Sequence, residues 1–183
     1  MQSFKIIKPI HILTPYVRYY WILEDCADVS VSERTLPTGC IQLVFHRGKR
    51  LLLVGKKESQ PQAFICGQCL NFSDVMSAGK IEMITVVFQP YAARAILQLP
   101  LKFFYGELIA VDAIADLELS ILSRKVIEAD DHETCIRLIE LFLIHRIYRF
   151  EGYEYNLKRI SAVLHQINEQ AKTNLSLIHI SEP

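Results

Sequence analysis

The sequence has no hydrophobic run of the ~18–20 residues that a membrane-spanning helix needs. The nearest approach, Leu138–Ile144, is short and contains Glu140, which favours a buried helix. The N-terminus also lacks the long apolar segment of a secretion signal. The chain has five cysteines, an odd number that favours free thiols in a reducing compartment. We therefore expect a cytoplasmic protein without a membrane partner.

An excess of positive charge is also missing. The 20 lysine and arginine residues balance 20 aspartate and glutamate residues, so the formal net charge is zero. A free-standing nucleic-acid-binding domain usually carries a basic excess. The balance argues against a DNA-reading region in this chain and leaves open a separate domain that reads DNA. The hydrophobic content of 51% predicts a folded core.

The motifs of common catalytic and metal sites are absent as well. The seven glycines never form a Gly-x-Gly-x-x-Gly phosphate loop, and no spacing indicates a Ser-His-Asp or Cys-His arrangement. A cupin-like metal site needs two or three histidines and a carboxylate, but the strand-rich half offers only His11 and His46. Cys66 and Cys69 have no second cysteine pair to complete a zinc site. We expect no enzyme activity, metal or cofactor, with a cupin-like metal-dependent small-molecule enzyme as the alternative.

The clearest positive signal is a strand at Arg34–His46. Within this segment Pro37 and Gly39 form a turn that precedes the alternating residues, because proline restricts φ and glycine accepts a positive φ. The residues after the turn alternate with a period of two, which predicts a strand with one face on the core. The core face comprises Ile41, Leu43 and Phe45, and the other face comprises Gln42, Val44 and His46.

The remaining elements fall into two halves of the chain. Strands are predicted at Phe4–Ile7, at Leu51–Val54 in a hairpin with the preceding strand, at Ala63–Phe72 and at Ile81–Phe88. A surface loop is predicted at Lys56–Gln62 and a turn at Ser73–Gly79. Helices are predicted at Tyr91–Leu97, Leu101–Leu108, Ile114–Ile127, Glu133–Phe150 and Glu154–Ala171. This order indicates an α+β fold: an antiparallel, barrel-like (cupin-like) first half followed by a helical second half.

The predicted helix Glu133–Phe150 begins at a cap formed by Asp130 or Asp131. It is apolar almost all round, so it has to be covered on more than one side. Its own sheet covers one face, and either another helix of the same domain or a second subunit covers the other. In the dimer interpretation the interface comprises Ile136, Ile139, Leu143 and Ile147.

Four segments in a fixed order carry a resemblance to a known family. They are Pro15-Tyr-Val-Arg-Tyr-Tyr-Trp21, Arg34-x-Leu-Pro-Thr-Gly39 continuing to Leu43-Val-Phe45, Gly67-Gln68, and Val87-Phe88-Gln-Pro90 followed by Leu99-Pro100. Together they resemble the N-terminal effector and dimerisation domain of AraC-type (AraC/XylS) transcription regulators over roughly residues 5–115. The segment from Leu157 to Leu177 resembles the first helix of that family's helix-turn-helix DNA-binding unit and the entry to its second.

The resemblance implies a β-rich sensor domain at 1–112, a helical dimerisation or linker region at 113–152, the first helix of the DNA-binding unit at 153–175, and a tail of uncertain origin at 176–183. It implies a homodimer that senses a small-molecule effector. DNA would be contacted only through the missing C-terminal unit, since base readout needs a helix in the major groove. We therefore expect the chain to be a fragment that stops early in that unit.

A sensor pocket would lie inside the sheet, with apolar walls and a few polar groups. Its predicted lining comprises Trp21, Gln42, Val44, His46, Gln68 and Phe88. The structural alternative makes Trp21 and Phe88 core residues and lets Gln42 and His46 face solvent. Arg34 and Arg94 are further candidates for an anionic ligand, although single arginines are more often surface or ion-paired residues.

Overall fold

The computed structural model of the chain describes residues 2–26, 32–35, 38–68, 71–77, 79–100, 105–106 and 108–149. The predicted helix Glu154–Ala171, the predicted regions 153–175 and 176–183, and Cys69 lie outside these residues. Within the described part, no helix is long and apolar enough to cross a membrane.

Ten strands form two antiparallel sheets in the described residues. They are β1 (Gln2–Ile7), β2 (Val17–Asp25), β3 (Ser32–Thr35), β4 (Gln42–His46), β5 (Leu52–Leu53), β6 (Glu58–Ser59), β7 (Ala63–Cys66), β8 (Ser73–Met76), β9 (Ile81–Phe88) and β10 (Leu108–Ala110). The large sheet has the order β1-β2-β9-β4-β7-β10, and the small sheet has the order β3-β8-β5-β6. The strands predicted at Phe4–Ile7 and Ile81–Phe88 are thereby confirmed.

The connection after β4 differs from the prediction. The predicted hairpin with Leu51–Val54 is wrong, because β4 pairs with β7 and β9 whereas β5 pairs with β6 and β8. The chain instead continues beside β9, where the amides of Arg47 and Gly48 donate to the Glu82 carbonyl at 2.7 and 3.1 Å. Glycine is needed at position 48, because a Cβ there would lie 2.6 Å from the Glu82 nitrogen.

Other element boundaries also change. The turn predicted at Ser73–Gly79 is wrong, because Ser73–Met76 forms β8 and pairs with β3 and β5. The strand predicted at Arg34–His46 divides into β3 and β4, which belong to different sheets. The helix predicted to end at Leu108 is wrong at that residue, where β10 begins and pairs with β7. In each case pairing with a strand distant in sequence overrides the local pattern.

The central strands of the large sheet are buried on both faces. One face packs on the helices through a core that includes Leu43, Phe45 and Phe88. The other face packs toward the small sheet through a cluster that includes Val44 and Phe64. The prediction of a single core face for β4 is therefore wrong: Val44 is only 4% exposed, and His46 is fully buried.

The predicted α+β class and antiparallel pairing are confirmed, but the barrel-like closure is not. The described strands form two separate sheets, and neither sheet joins the other to close a barrel. Each sheet instead ends in two edge strands, which are β1 and β10 in the large sheet and β3 and β6 in the small sheet. A layered arrangement also buries strands on two sides, provided that each layer is covered.

Three helices cover the large sheet's second face: α1 (Ala93–Leu97), α2 (Leu117–Glu128) and α3 (His132–Arg149). The Asp116 carboxylate accepts a hydrogen bond from the Leu119 N–H at 3.0 Å and so caps α2. The Asp131 carboxylate accepts from the Thr134 N–H at 2.7 Å, as expected for the cap of the long helix. This bond is also the main cause of the lowered pKa of Asp131.

The burial of α3 corrects the predicted interface residues. Ile136, Ile139 and Leu143 pack inside the chain's own core, and Ile147 is half-buried against it. Side chains enclosed in one chain are not available to a second subunit. The apolar residues that α3 leaves exposed are Leu141 and Tyr148.

Two buried arginines tie the helices in place. Arg47, after β4, lies 3.1 Å from the Glu82 carboxylate of β9 and also donates to the Ala129 carbonyl and to the Cys135 sulfur. Arg146 of α3 donates to the Asp116 carboxylate at the start of α2. These contacts join the helical hairpin to the sheet at one end and close the hairpin at the other.

Candidate functional site

A cavity of about 570 Å³ lies between the large and small sheets. The side chains that line it from the large sheet are Trp21, Gln42, Val44, Phe64, Cys66, Met83 and Leu108. The small sheet and its flanking loops contribute Thr35, Leu51, Leu53, Val54, Gln60 and Phe72, among others. Apolar groups predominate, but eight polar or charged side chains among the described wall residues interrupt them, including Lys56, Asn71 and Asp74.

The strand register explains why these residues share a wall. In β4, Val44 pairs with Phe64 of β7 on one side and with Thr85 of β9 on the other. Directly paired residues in an antiparallel sheet point to the same face. Trp21 of β2 pairs with Thr85, so it lies on this face too. Leu43 and Phe45 alternate to the opposite face and meet the helices.

Trp21 is the single tryptophan of the chain and is half-buried in the cavity wall. Its ring lies 5.7 Å, centroid to centroid, from that of Phe4 on the neighbouring edge strand β1. An aromatic wall of this kind offers a large apolar surface to a ligand. It also places an intrinsic fluorophore at the site.

The structure brings together only some of the predicted pocket residues. Trp21, Gln42 and Val44 line the cavity. Phe88 is fully buried on the opposite face of the sheet, so for this residue the core alternative is correct. Gln68 is not among the wall residues, and its amide nitrogen donates to the Gly39 carbonyl at 3.0 Å.

His46 is neither solvent-facing nor part of the cavity wall. It is fully buried behind the wall, with its ring 5.8 Å from that of Phe64 and its Nε2 2.9 Å from the Gln60 side-chain oxygen. Burial lowers the pKa of His46, the hydrogen bond to Gln60 opposes that change, and the charge of Arg50 adds to it. The imidazole is therefore neutral near pH 7.

The cavity rim carries an exposed ion pair. The Arg34 guanidinium forms two hydrogen bonds with the Asp74 carboxylate, at 2.8 and 3.2 Å, and lies 3.9 Å from the ring centroid of Phe72. The bond to Arg34 lowers the pKa of Asp74 and raises that of Arg34. Arg34 is thus the ion-paired residue of the alternative interpretation. An exposed pair of this type contributes little to stability.

The described part of the chain offers no donor set for a metal ion, because no three or more His, Cys, Asp or Glu side chains come together there. His11 and His46 lie on separate elements, the first in a short helical turn. Cys66 lies in the cavity wall. Cys69, the second cysteine considered with it as a zinc ligand, lies outside the described residues.

Gln60 is the site residue that the sequence did not reveal. It lies in the predicted surface loop Lys56–Gln62, yet it is only 8% exposed and lines the cavity. Its backbone N–H donates to the Leu51 carbonyl at 2.7 Å, which draws the loop against the small sheet. No local pattern marks this burial, because the partners Leu51 and His46 lie in other segments.

Residues 5–110 match the model of a family described as a domain of unknown function, DUF6597. The chain belongs to this family. The DUF6597 match spans more than half of the 183 residues and extends from within β1 to the end of β10. It therefore contains every residue of the cavity wall, whereas α2 and α3 follow it. No curated protein and no solved structure matches the chain.

Proposed function

We propose that the chain is the sensor and dimerisation portion of an AraC-type DNA-binding transcription regulator, and that the cavity between its sheets is the effector site. The observation that carries the proposal is the cavity itself. Small-molecule sites typically measure ~300–1,000 Å³ and combine apolar walls with a few placed polar groups. The cavity of about 570 Å³ has both properties.

The sequence resemblance supports the regulator part of the proposal. The segment Arg34–Phe45 that carries much of it includes the end of β3 and most of β4, and both strands contribute to the cavity wall. The absence of a basic excess agrees with DNA contact through a separate unit. A binding module of this kind needs no reacting groups in its pocket.

A physical route for signalling runs through β4. Val44 faces the cavity, while its neighbours Leu43 and Phe45 pack in the core that includes α2 and α3. A ligand that displaces Val44 acts on a strand that α2 contacts directly. Effector binding would then shift the population between two positions of the helical hairpin, because it stabilises one of them more than the other.

Ligand titration followed by Trp21 fluorescence tests the effector site in the full chain. With a panel of neutral, largely apolar compounds, we expect saturable spectral changes for some members. Val44→Phe adds a ring at the cavity wall and should weaken those compounds at least tenfold through steric overlap. Ile121→Phe, at a partly exposed position of α2, is the matched control and should leave affinity unchanged.

Two results would contradict the effector site. One is a panel that produces no saturable change at Trp21. The other is a compound that binds Val44→Phe and wild type with equal affinity, which would mean that it binds outside the cavity.

A further inference from the structure

Gln60 presents a fixed polar atom to the cavity. Its side-chain oxygen lies 2.9 Å from Nε2 of His46. A carboxamide oxygen only accepts hydrogen bonds, so Nε2 carries the proton and the neutral ring donates. The oxygen end of the Gln60 amide thus points toward His46. The amide nitrogen is left with two N–H donors and has no hydrogen-bond partner among the described residues.

Because Gln60 is buried, its N–H donor discriminates between ligands that have a hydrogen-bond acceptor and ligands that lack one. Gln60 is 8% exposed, and its neighbours in the wall include Leu51 and Phe64. A ligand that fills the cavity without pairing the donor leaves a buried N–H unsatisfied, which is costly. A ligand with an acceptor at this position satisfies it. Sites built around a hydrogen-bonding group discriminate more strongly than purely apolar pockets.

Gln42 presents a second amide at the other end of β4. Its nitrogen donates one hydrogen to the Thr38 hydroxyl at 2.9 Å, which leaves its oxygen and its second N–H for a ligand. Gln42 and His46 lie on one face of the strand, four residues apart, a separation of roughly 13 Å at the usual rise per residue. Val44 and the aromatic wall lie between these two polar ends.

We propose that Gln60 is a ligand-binding residue and that it selects an elongated, largely apolar molecule with a carbonyl-type acceptor at the Gln60 end. His46 is the positioning residue, because it holds the amide in one orientation. The inference rests on the proposed effector site and deepens it by stating the chemical class of the ligand.

Two probes of nearly equal shape test the selection. Benzylacetone has a phenyl ring, a short chain and a ketone, and isopentylbenzene replaces the ketone oxygen by a methyl group. In wild type, both should change Trp21 fluorescence. We expect Gln60→Leu to lower the affinity ratio of ketone to hydrocarbon about tenfold, since it removes the N–H donor that we assign to the ketone oxygen.

Gln60→Glu keeps the oxygen that accepts from His46 and replaces the free donor by an acceptor. It should lower the same ratio at least as far, with little change in shape. Gln98→Glu introduces the same chemical change at an exposed side chain and should leave the ratio as in wild type. Urea unfolding of each variant confirms that the fold is intact.

The outcomes separate the two proposals. An unchanged ratio in both Gln60 variants, with both probes still bound, overturns the role of Gln60 and leaves the effector site standing. Failure of both probes to affect Trp21 in wild type overturns the inference together with the cavity as a site for ligands of this class.

Discussion

At the scale of single residues, His46 shows how burial sets a protonation state. The side chain is fully buried, its Nδ1 has no hydrogen-bond partner among the residues that the structure describes, and the Arg50 charge opposes protonation further. The lowered pKa means that the unfolded chain binds this proton more readily than the folded one. The stabilising contribution of the neutral His46 ring is therefore fully present above the unfolded pKa of 6.5. It is lost as the pH drops from there toward the lowered folded pKa.

Replacing His46 should flatten this pH dependence. His46→Gln keeps an N–H that can donate to Gln60 but removes the titrating group. We expect urea unfolding between about pH 5 and pH 7.5 to show a smaller loss of stability in acid than in wild type. His145→Gln, at an exposed position of α3, should retain the wild-type slope. Parallel curves for wild type and His46→Gln would show that another group causes the acid sensitivity.

At the scale of elements, the α2–α3 hairpin is closed by one carboxylate with two tasks. Asp116 caps α2 through the Leu119 N–H and also accepts from Arg146. Arg146 has only 8% of its side chain exposed and lies 4.9 Å over the Phe142 ring. Its Nε is 3.0 Å from Glu118, close enough for an ion pair but without hydrogen-bond geometry. Asp116 is therefore the better partner.

Substitutions at Asp116 separate the two tasks. Asp116→Ala removes the cap and leaves a buried guanidinium poorly paired, and we expect a loss of about 2–4 kcal/mol in the free energy of unfolding. Asp116→Asn retains a capping oxygen and should lose about half of that amount. Chemical denaturation measures both. Asp112→Ala, at a nearby exposed aspartate, should change stability by no more than about 0.5 kcal/mol. Equal losses in the alanine and asparagine variants would assign the whole effect to Arg146.

At the scale of the whole molecule, the large sheet separates two functions. One face lines the cavity and the other supports the helices. The proposed homodimer then has to use surface that the helices leave exposed. Leu141 and Tyr148 are 59% and 62% exposed and stand seven residues apart, so they share one stripe of α3.

Sedimentation of the full chain tests this surface. We expect self-association that Leu141→Glu weakens at least tenfold, because a charge would enter an apolar contact. Phe4→Glu changes a similarly exposed aromatic residue on β1 and should leave association unchanged. A strict monomer at high concentration would contradict the homodimer, and equal effects of both variants would contradict its location on α3.

Several features of the fold follow from local sequence. The run of β-branched and other apolar residues at Ile81–Phe88 marks β9, and Asp131, one of the two predicted cap residues, begins the long helix α3. The cavity residues Trp21, Gln42 and Val44 were also predicted, because Gln42 and Val44 share one face of a predicted strand and Trp21 lies in a segment that carries the family resemblance. Such signals depend on neighbours within a few residues.

The sequence by itself determined the α+β class, the strand Ile81–Phe88 and the start of the long helix α3, because strand propensity and capping act locally. Only the tertiary structure decided that β4 is buried on both faces, that β5 joins a second sheet and that Gln60 meets His46. These outcomes depend on which distant segments pair and which surfaces they cover. The burial of a residue depends on that packing, so the local sequence pattern does not predict it.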